Sequence, residues 1–194
     1  MIFKISINEK WPNLLFIILL LIWIISLFIA PLMVSKNTIG ELNGCSNLIN
    51  YGYIWADLPL YPRIIYTIGD FACHQINTRS FYINGNQMPV CVRCVAIYFG
   101  FLCALVYTLF IPNNQNHRRY FFHTLPNRWR NSAINIFGEK FLPFILIFLF
   151  LLPVALDGGI QLFTDYESSN ITRILTGIPA GWLGGILLGA LINT

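Results

Sequence analysis

The chain has 194 residues, of which 56% are hydrophobic and only 10% charged, with a formal charge of +4. A soluble domain carries about 25% charged residues, so this composition excludes an ordinary water-soluble globule and makes a bilayer the natural solvent. The basic residues fall on loops between apolar runs and form no stripe, which excludes a nucleic-acid partner.

The first apolar run, 14–34, is free of charge and is broken only by Pro31 near its end. At 1.5 Å per residue it covers roughly the 30 Å of a hydrocarbon core. A signal peptide is the competing reading, but the run is long for one and Ala30-Pro31 is a poor cleavage context. An outer segment, 35–90, follows. Within it Leu60, Ile64, Ile65, Ile68 and Phe71 keep close to the spacing of one helical face. They predict an amphipathic helix on the membrane or folded into the bundle mouth, with Arg63 and Asp70 on its wet side. Tyr51, Tyr53, Trp55, Tyr61 and Tyr66 suit an interfacial aromatic belt. The turn sequence Asn84-Gly85-Asn86 would fold Cys73 back toward Cys91.

The second span, 95–111, begins just after Cys94 and is stopped by Pro112-Asn113-Asn114. A loop, 113–140, precedes the third span, 141–163, and the fourth is 174–192. The expected fold is therefore all-α: a single polytopic membrane domain, 1–194, with four transmembrane helices and an extra amphipathic helix in the first outer loop.

Lys4, Lys10, Arg118, Arg119, Arg128, Arg130 and Lys140 stand against Glu9 and Glu139 on one side. Lys36, Arg63, Arg79, Arg93 and Arg173 stand against Glu41, Asp57, Asp70, Asp157, Asp165 and Glu167 on the other. The positive-inside rule then puts both termini and the 113–140 loop in the cytoplasm, with the plasma membrane as the expected location.

Gly177, Gly181, Gly185 and Gly189 recur every four residues in span four, and Ala96, Gly100 and Ala104 do so in span two. Small residues on one face let two backbones approach in lipid, so these spans are expected to cross in close contact. A homodimer through span four, or a larger membrane complex, is the competing use of that face.

Five cysteines are present. Cys45 lies in a polar loop, and Cys103, inside an apolar helix, reads as a small packing residue. The informative cluster is Cys73-His74-Gln75 followed by Met88-Pro89-Val90-Cys91-Val92-Arg93-Cys94. Cys91 and Cys94 resemble half of a zinc knuckle, and Cys73 and His74 complete a candidate set of metal ligands. Adjacent side chains rarely point at one ion, so one of those two would stand back, with water or Asp157 as the remaining ligand. A filled fourth position would be a structural staple and an open one a catalytic site. Thiolates also admit Cu(I). The rival chemistry is thiol–disulfide exchange by Cys91 and Cys94, their acidity raised by Arg93 and the helix start, with Cys45 and Cys73 as a relay and a quinone as electron acceptor.

Ionisable groups inside a membrane segment usually mark function. Asp157 lies about 24 Å into span three, and Gln161 is one turn further on the same face. Asn170 and Arg173 open span four, and Cys91 and Cys94 open span two. With the topology above, all of these converge at one level and one side of the bilayer. Asp157 and Arg173 could form a structural ion pair or line a polar pocket with Gln161 beside the cysteines. Arg79 could pair with Asp157 or bind an anionic group. Asn170 could cap span four, with Ser168 and Ser169 as competitors.

From Tyr66 to Gly189 the chain resembles a family of small prokaryotic integral membrane proteins, a domain of unknown function. The resemblance rests on Cys73-His74-Gln75, Arg79-Ser80-Phe81, Pro89-Val90-Cys91-Val92-Arg93-Cys94, Ile97-Tyr98 with Gly100, and Leu156-Asp157-Gly158 with Gln161. It continues through Ser169-Asn170, Arg173, Thr176-Gly177 and Gly181. The family usually has a small residue or Thr where Val95-Ala96 stand here. The resemblance implies that these positions act together and supplies no activity.

Three functional expectations result. The first is a metal-binding membrane protein, zinc before Cu(I), acting as a metalloenzyme at the lipid interface in its sharper form. There Cys73, His74, Cys91 and Cys94 hold the ion, and Asp157, Gln161 and Arg173 position water or substrate. The second is a membrane thiol oxidoreductase using Cys91 and Cys94. The third is an accessory subunit of a membrane complex whose cysteines only staple its fold.

Overall fold

A computed structural model describes residues 10–112 and 117–193. Lys4 and Glu9 of the charge balance, and Asn113-Asn114 of the span-two stop, lie outside the described residues. Helix α1 runs Trp11–Ile29 and tightens into a 3-10 turn at Ala30–Met33, where Pro31 cannot donate to an α-helical ladder. The outer segment holds α2, Gly52–Ala56, α3, Leu60–Ala72, and a small antiparallel hairpin of β1, Tyr82–Ile83, and β2, Asn86–Gln87. Then come α4, Val92–Thr108, α5, His117–His123, α6, Asn127–Phe163, and α7, Asn170–Ile192.

Among the described residues three stretches are long and apolar enough to cross a membrane: Trp11–Met33, Arg128–Phe163 and Asn170–Ile192. The fourth apolar helix, α4, has 17 residues, so it is about 26 Å long, at the short limit for a span. It is nonetheless central, packed between α1 and α7. It starts at Val92, earlier than the expected Val95, because Cys91 in extended conformation opens the helix (φ −71°, ψ 163°). Of the 113–140 segment, the described residues 117–140 are largely helical and not a plain loop: they contain α5 and the first turns of α6. Gly138, at φ 73° and ψ 153°, breaks α6 just before the apolar run that begins at Phe141.

The parallel helices α4 and α7 form the most extensive helix pair. Every fourth residue of α7 meets every fourth residue of α4. Gly177 faces the Arg93 carbonyl and Ala96, Gly181 faces the Ile97 carbonyl, Gly185 faces Phe101 and Ala104, and Gly189 faces Thr108. In return Gly100 lies against the Ile178 carbonyl. This is backbone against backbone, the contact that dispersion rewards most in lipid. Cys103 does not pack into it: the residue is exposed on the outer face of α4, since that face is turned away from α7.

The ends of this pair are finished differently. At one end the Lys10 ammonium donates to the Thr108 carbonyl at 2.9 Å, which also accepts from Ile111 N–H and the Tyr120 hydroxyl, and to the Ile111 carbonyl just past the end of α4. Asn13 donates to Thr108 Oγ1 at 2.8 Å. At the other end sits the outer segment, a cap with a polar centre. Asp70 is fully buried and accepts from the backbone N–H groups of Asn50 and Tyr51, from Asn50 Nδ2 and from Trp55 Nε1, all at 2.9–3.0 Å. Trp55 stacks on Tyr66 with centroids 4.9 Å apart. The wet side expected for Asp70 is thus corrected, while Arg63 is exposed as expected. Asp70 and Ile65 point inward, while Leu60, Ile64, Ile68 and Phe71 are exposed. Four hydrogen bonds hold Asp70 on the covered side beside Ile65 and Tyr66, and the exposed apolar residues face outward.

The α4–α7 contact gives a direct test. Gly181→Val drives a side chain into the Ile97 backbone and is expected to destabilise the bundle by about 2 kcal/mol or more. Gly159→Ala, with nothing within 4 Å, should be neutral or stabilising by up to about 1 kcal/mol. Thermal unfolding of the two variants in one detergent checks both.

Candidate metal centre

Cys73 ends α3 in extended conformation (φ −143°, ψ 149°). Its position is set by Gly69, whose missing side chain lets α3 lie directly on the Pro89 carbonyl. Any Cβ there would push α3 away from the segment that leads into Cys91. Gln75, buried at φ 49°, reinforces the contact by donating from Nε2 to the Pro89 carbonyl at 2.8 Å. Gln87 then fastens the loop, donating to the Gln75 carbonyl at 2.6 Å and to Ser80 Oγ at 3.2 Å. Its amide oxygen accepts from Leu42 N–H at 3.1 Å. The Asn84-Gly85 turn, both residues at positive φ (54° and 71°), is of the type that closes a two-residue hairpin. It brings the chain back as the turn sequence predicts.

The result is a triangle of thiols. The Sγ atoms of Cys73, Cys91 and Cys94 all lie within 4.8 Å of one another, with Cys91 and Cys94 at 3.5 Å. Cys73 Sγ accepts backbone N–H groups from Cys91 at 3.2 Å and Gln75 at 3.5 Å. Hydrogen bonding from the Cys73 thiol, and then from that of Cys94, holds Cys91 well below the ordinary thiol range. The same sharing with Cys91 pushes Cys73 up. One negative charge is therefore favoured among three sulfurs.

His74 stands outside this triangle. In extended backbone successive side chains point to opposite faces, so with Cys73 turned inward His74 is turned out. It is exposed, with Nε2 3.4 Å from Ser46 Oγ, and it lines the cavity in front of the thiols. Cys45 is likewise exposed in the loop, apart from the cluster.

That cavity has a volume of about 420 Å³. Cys73, Cys91 and Cys94 line it together with Arg79, Arg93 and Arg173. The expected pairing of Asp157 with Arg173 or Arg79 is not made. Asp157, nearly fully buried, pairs instead with Arg93, the residue between the two cysteines of α4. Arg79 pairs with Glu167 at 3.0 Å, and Arg173 Nη2 lies 3.7 Å from the same carboxylate oxygen. Arg79, followed by a hydrogen bond from Thr78, holds the Glu167 carboxyl below its usual range. Gln161 donates to Ser168 Oγ, which also receives Arg93 Nη2 at 3.4 Å. Of the three residues expected to position water or substrate, Arg173 lines the cavity, while Asp157 and Gln161 stand behind Arg93 and Ser168. The cap of α7 is Ser169, whose Oγ accepts from Thr172 N–H at 3.2 Å, and not Asn170.

Sequence reasoning passes over Gly69, Ser168, Glu167 and Gln87 as parts of the site. A glycine four residues before Cys73 is a signal that was present. Ser168 and Glu167 carry none, since a polar loop between two spans needs no explanation.

All of these positions but Gly69 fall within a recognised family. The chain belongs to the family described as Predicted membrane protein (DUF2085), which matches residues 73–187. The matched region opens at Cys73 and contains the other two thiols, Arg79, Arg93, Asp157, Arg173 and the whole α4–α7 contact up to Gly185. A protein of Methanocaldococcus jannaschii, described as uncharacterised, is 29% identical over 169 residues, covering 87% of this chain and 85% of its own. Another so described, from Methanothermobacter thermautotrophicus, is 31% identical over 111 residues, 57% of this chain and 78% of its own. No solved structure matches the chain.

Breaking the Arg93–Asp157 pair from one side leaves a charge buried without its partner. Asp157→Asn is expected to cost about 3 kcal/mol. The double variant Arg93→Gln/Asp157→Asn should cost at least about 1 kcal/mol less than the sum of the single changes. A double-mutant cycle of unfolding midpoints measures the difference.

Proposed function

We propose that Cys73, Cys91 and Cys94 hold one soft metal ion, zinc in the first instance, at the mouth of the helix bundle. The observation that carries the reading is the thiol triangle. Three sulfurs from two separate segments lie within 4.8 Å of one another. A tetrahedral zinc with Zn–S bonds of about 2.3 Å needs sulfurs about 3.8 Å apart, so the triangle requires little movement to close on an ion. Cys91, held well below the ordinary thiol range by its neighbouring thiols, supplies the thiolate form that a metal requires. Cu(I) suits the same ligands.

The fourth coordination position would face the cavity, where water or a substrate oxygen can reach it. Such a centre would act as a Lewis acid or hold a nucleophilic water. Arg173 would contact what enters, and Asp157 and Gln161 would keep Arg93 and Ser168 in place. The distribution of basic residues supports the placement of this mouth on the non-cytoplasmic side of the plasma membrane.

Thiol–disulfide exchange is the second reading. It is favoured by the 3.5 Å between Cys91 and Cys94 Sγ and by the low pKa of Cys91. It leaves the convergence of Cys73 on the same point without a purpose.

Elemental analysis of the purified chain in detergent tests the metal reading. About one equivalent of zinc per chain is expected. Loss is expected in Cys73→Ser, Cys91→Ser and the displaced-helix variant Gly69→Val, with retention in His74→Ala. Less than about half an equivalent of any transition metal, with a reversible Cys91–Cys94 disulfide seen on alkylation, would shift the assignment to exchange.

A further inference from the structure

We infer that the cavity in front of the thiols binds a phosphate-class oxyanion, held by Arg79, Arg93 and Arg173. The inference stands on the arginines and not on a metal at the thiols. Arg173 supports it most. Its side chain is 2% exposed, and its Nη2 has no hydrogen-bond partner. Among the described residues Glu167 supplies the one carboxylate within 4 Å of it, at 3.7 Å, beyond hydrogen-bond reach. That oxygen already accepts from Arg79 Nε at 3.0 Å and Thr78 Oγ1 at 2.9 Å.

Arg93 repeats the pattern. One of its nitrogens is committed to Asp157, while its Nε is buried and unpartnered. A buried guanidinium with an unused donor is costly to keep. Buried Arg173 and half-buried Arg93 each bring such a donor to the residues lining one cavity, with Arg79 as a third guanidinium. Their three charges meet the carboxylates of Asp157 and Glu167 and the charge shared among the thiols, so the unused donors and not a net charge carry the inference.

The three guanidiniums come from the 77–79 turn, the first turn of α4 and the first turn of α7. A planar carboxylate offers two oxygens in one plane. A tetrahedral phosphate offers oxygens in several directions, and guanidinium forks match its edges. The cavity, at about 420 Å³, falls within the range of small-ligand sites. It opens at the bundle mouth, where the phosphate could be a lipid head group or a soluble anion.

The test uses the full chain in a neutral detergent, titrated with inorganic phosphate against chloride at matched ionic strength. It is repeated in phosphatidylcholine nanodiscs with and without phosphatidic acid. The wild-type thermal midpoint is expected to rise with phosphate. Arg173→Gln is expected to weaken the response at least about tenfold, and Arg79→Gln, half-exposed at the rim and safe for folding, several-fold. A rise in phosphatidic acid discs without a response to free phosphate identifies a head group. A response to free phosphate without lipid discrimination identifies a soluble anion.

The inference is overturned if wild type responds to neither probe, or if Arg79→Gln and any folded Arg173→Gln respond as wild type does. A phosphate response in protein free of metal would leave this site standing while the metal reading fails. A metal-loaded protein indifferent to phosphate and phosphatidic acid would do the reverse.

Discussion

Backbone contact between α4 and α7 is the constraint on which the rest of the protein depends. In a bilayer two helices gain nothing from hiding apolar surface, because lipid is as apolar as they are. They gain by approaching until their backbones touch, and only small residues allow that. The repeat of Gly177, Gly181, Gly185 and Gly189 against Arg93, Ile97, Phe101 and Thr108 fixes both depth and register. Slipping by one turn would displace the helices by about 5.4 Å and carry Arg173 away from Arg93 and the thiols. The register that packs the helices therefore also assembles the cavity. Helix α6 must return to the same end before α7 can start, so Asp157 and Gln161 arrive at that level by chain connectivity alone.

The cap closes the site from the opposite direction by a different force. Its segments are short and irregular, so many backbone N–H and C=O groups lack a helical or strand partner. Buried side chains supply them instead. Asp70 serves the Asn50–Trp55 turn, Gln75 and Gln87 serve the loops around Pro89 and Leu42, and Asn86 Oδ1 accepts from Thr38 and Ile39 at 2.8 and 2.9 Å. Tyr66 joins the two halves by donating to the Gln87 carbonyl at 2.7 Å. Each such group is costly to bury alone and favourable only in the complete network. Cys73 is thereby held at a defined point without lying on a long helix.

What could be read in the amino-acid pattern follows this division of forces. The apolar runs, the small-residue face, the Asn-Gly turn and the common level of thiols, aspartate and arginine were legible, because each depends on local periodicity or on chain direction. The inward turn of Asp70 was not, since its partners lie 15–20 residues earlier in a stretch without periodicity. The pairing of Asp157 was misjudged for a related reason. Topology fixes the height of a side chain in a bundle, whereas rotation about the helix axis decides which of three arginines it meets. The helical content of 117–140 was hidden by charged residues that read as loop.

Arg93 shows why that rotation matters for the chemistry. Placed between Cys91 and Cys94 it reads as the cation that would acidify a thiol. Its guanidinium turns away to Asp157, which neutralises it. The acidity of Cys91 comes first from the Cys73 thiol and next from that of Cys94, with Arg93 contributing only through its backbone N–H. A thiolate stabilised by its own kind is a different object from one stabilised by a fixed cation. Its stabilising donors are protons that a metal ion can replace, whereas a guanidinium would remain and oppose the ion. The same pairing with Asp157 leaves Arg93 Nε buried and without a hydrogen-bond partner.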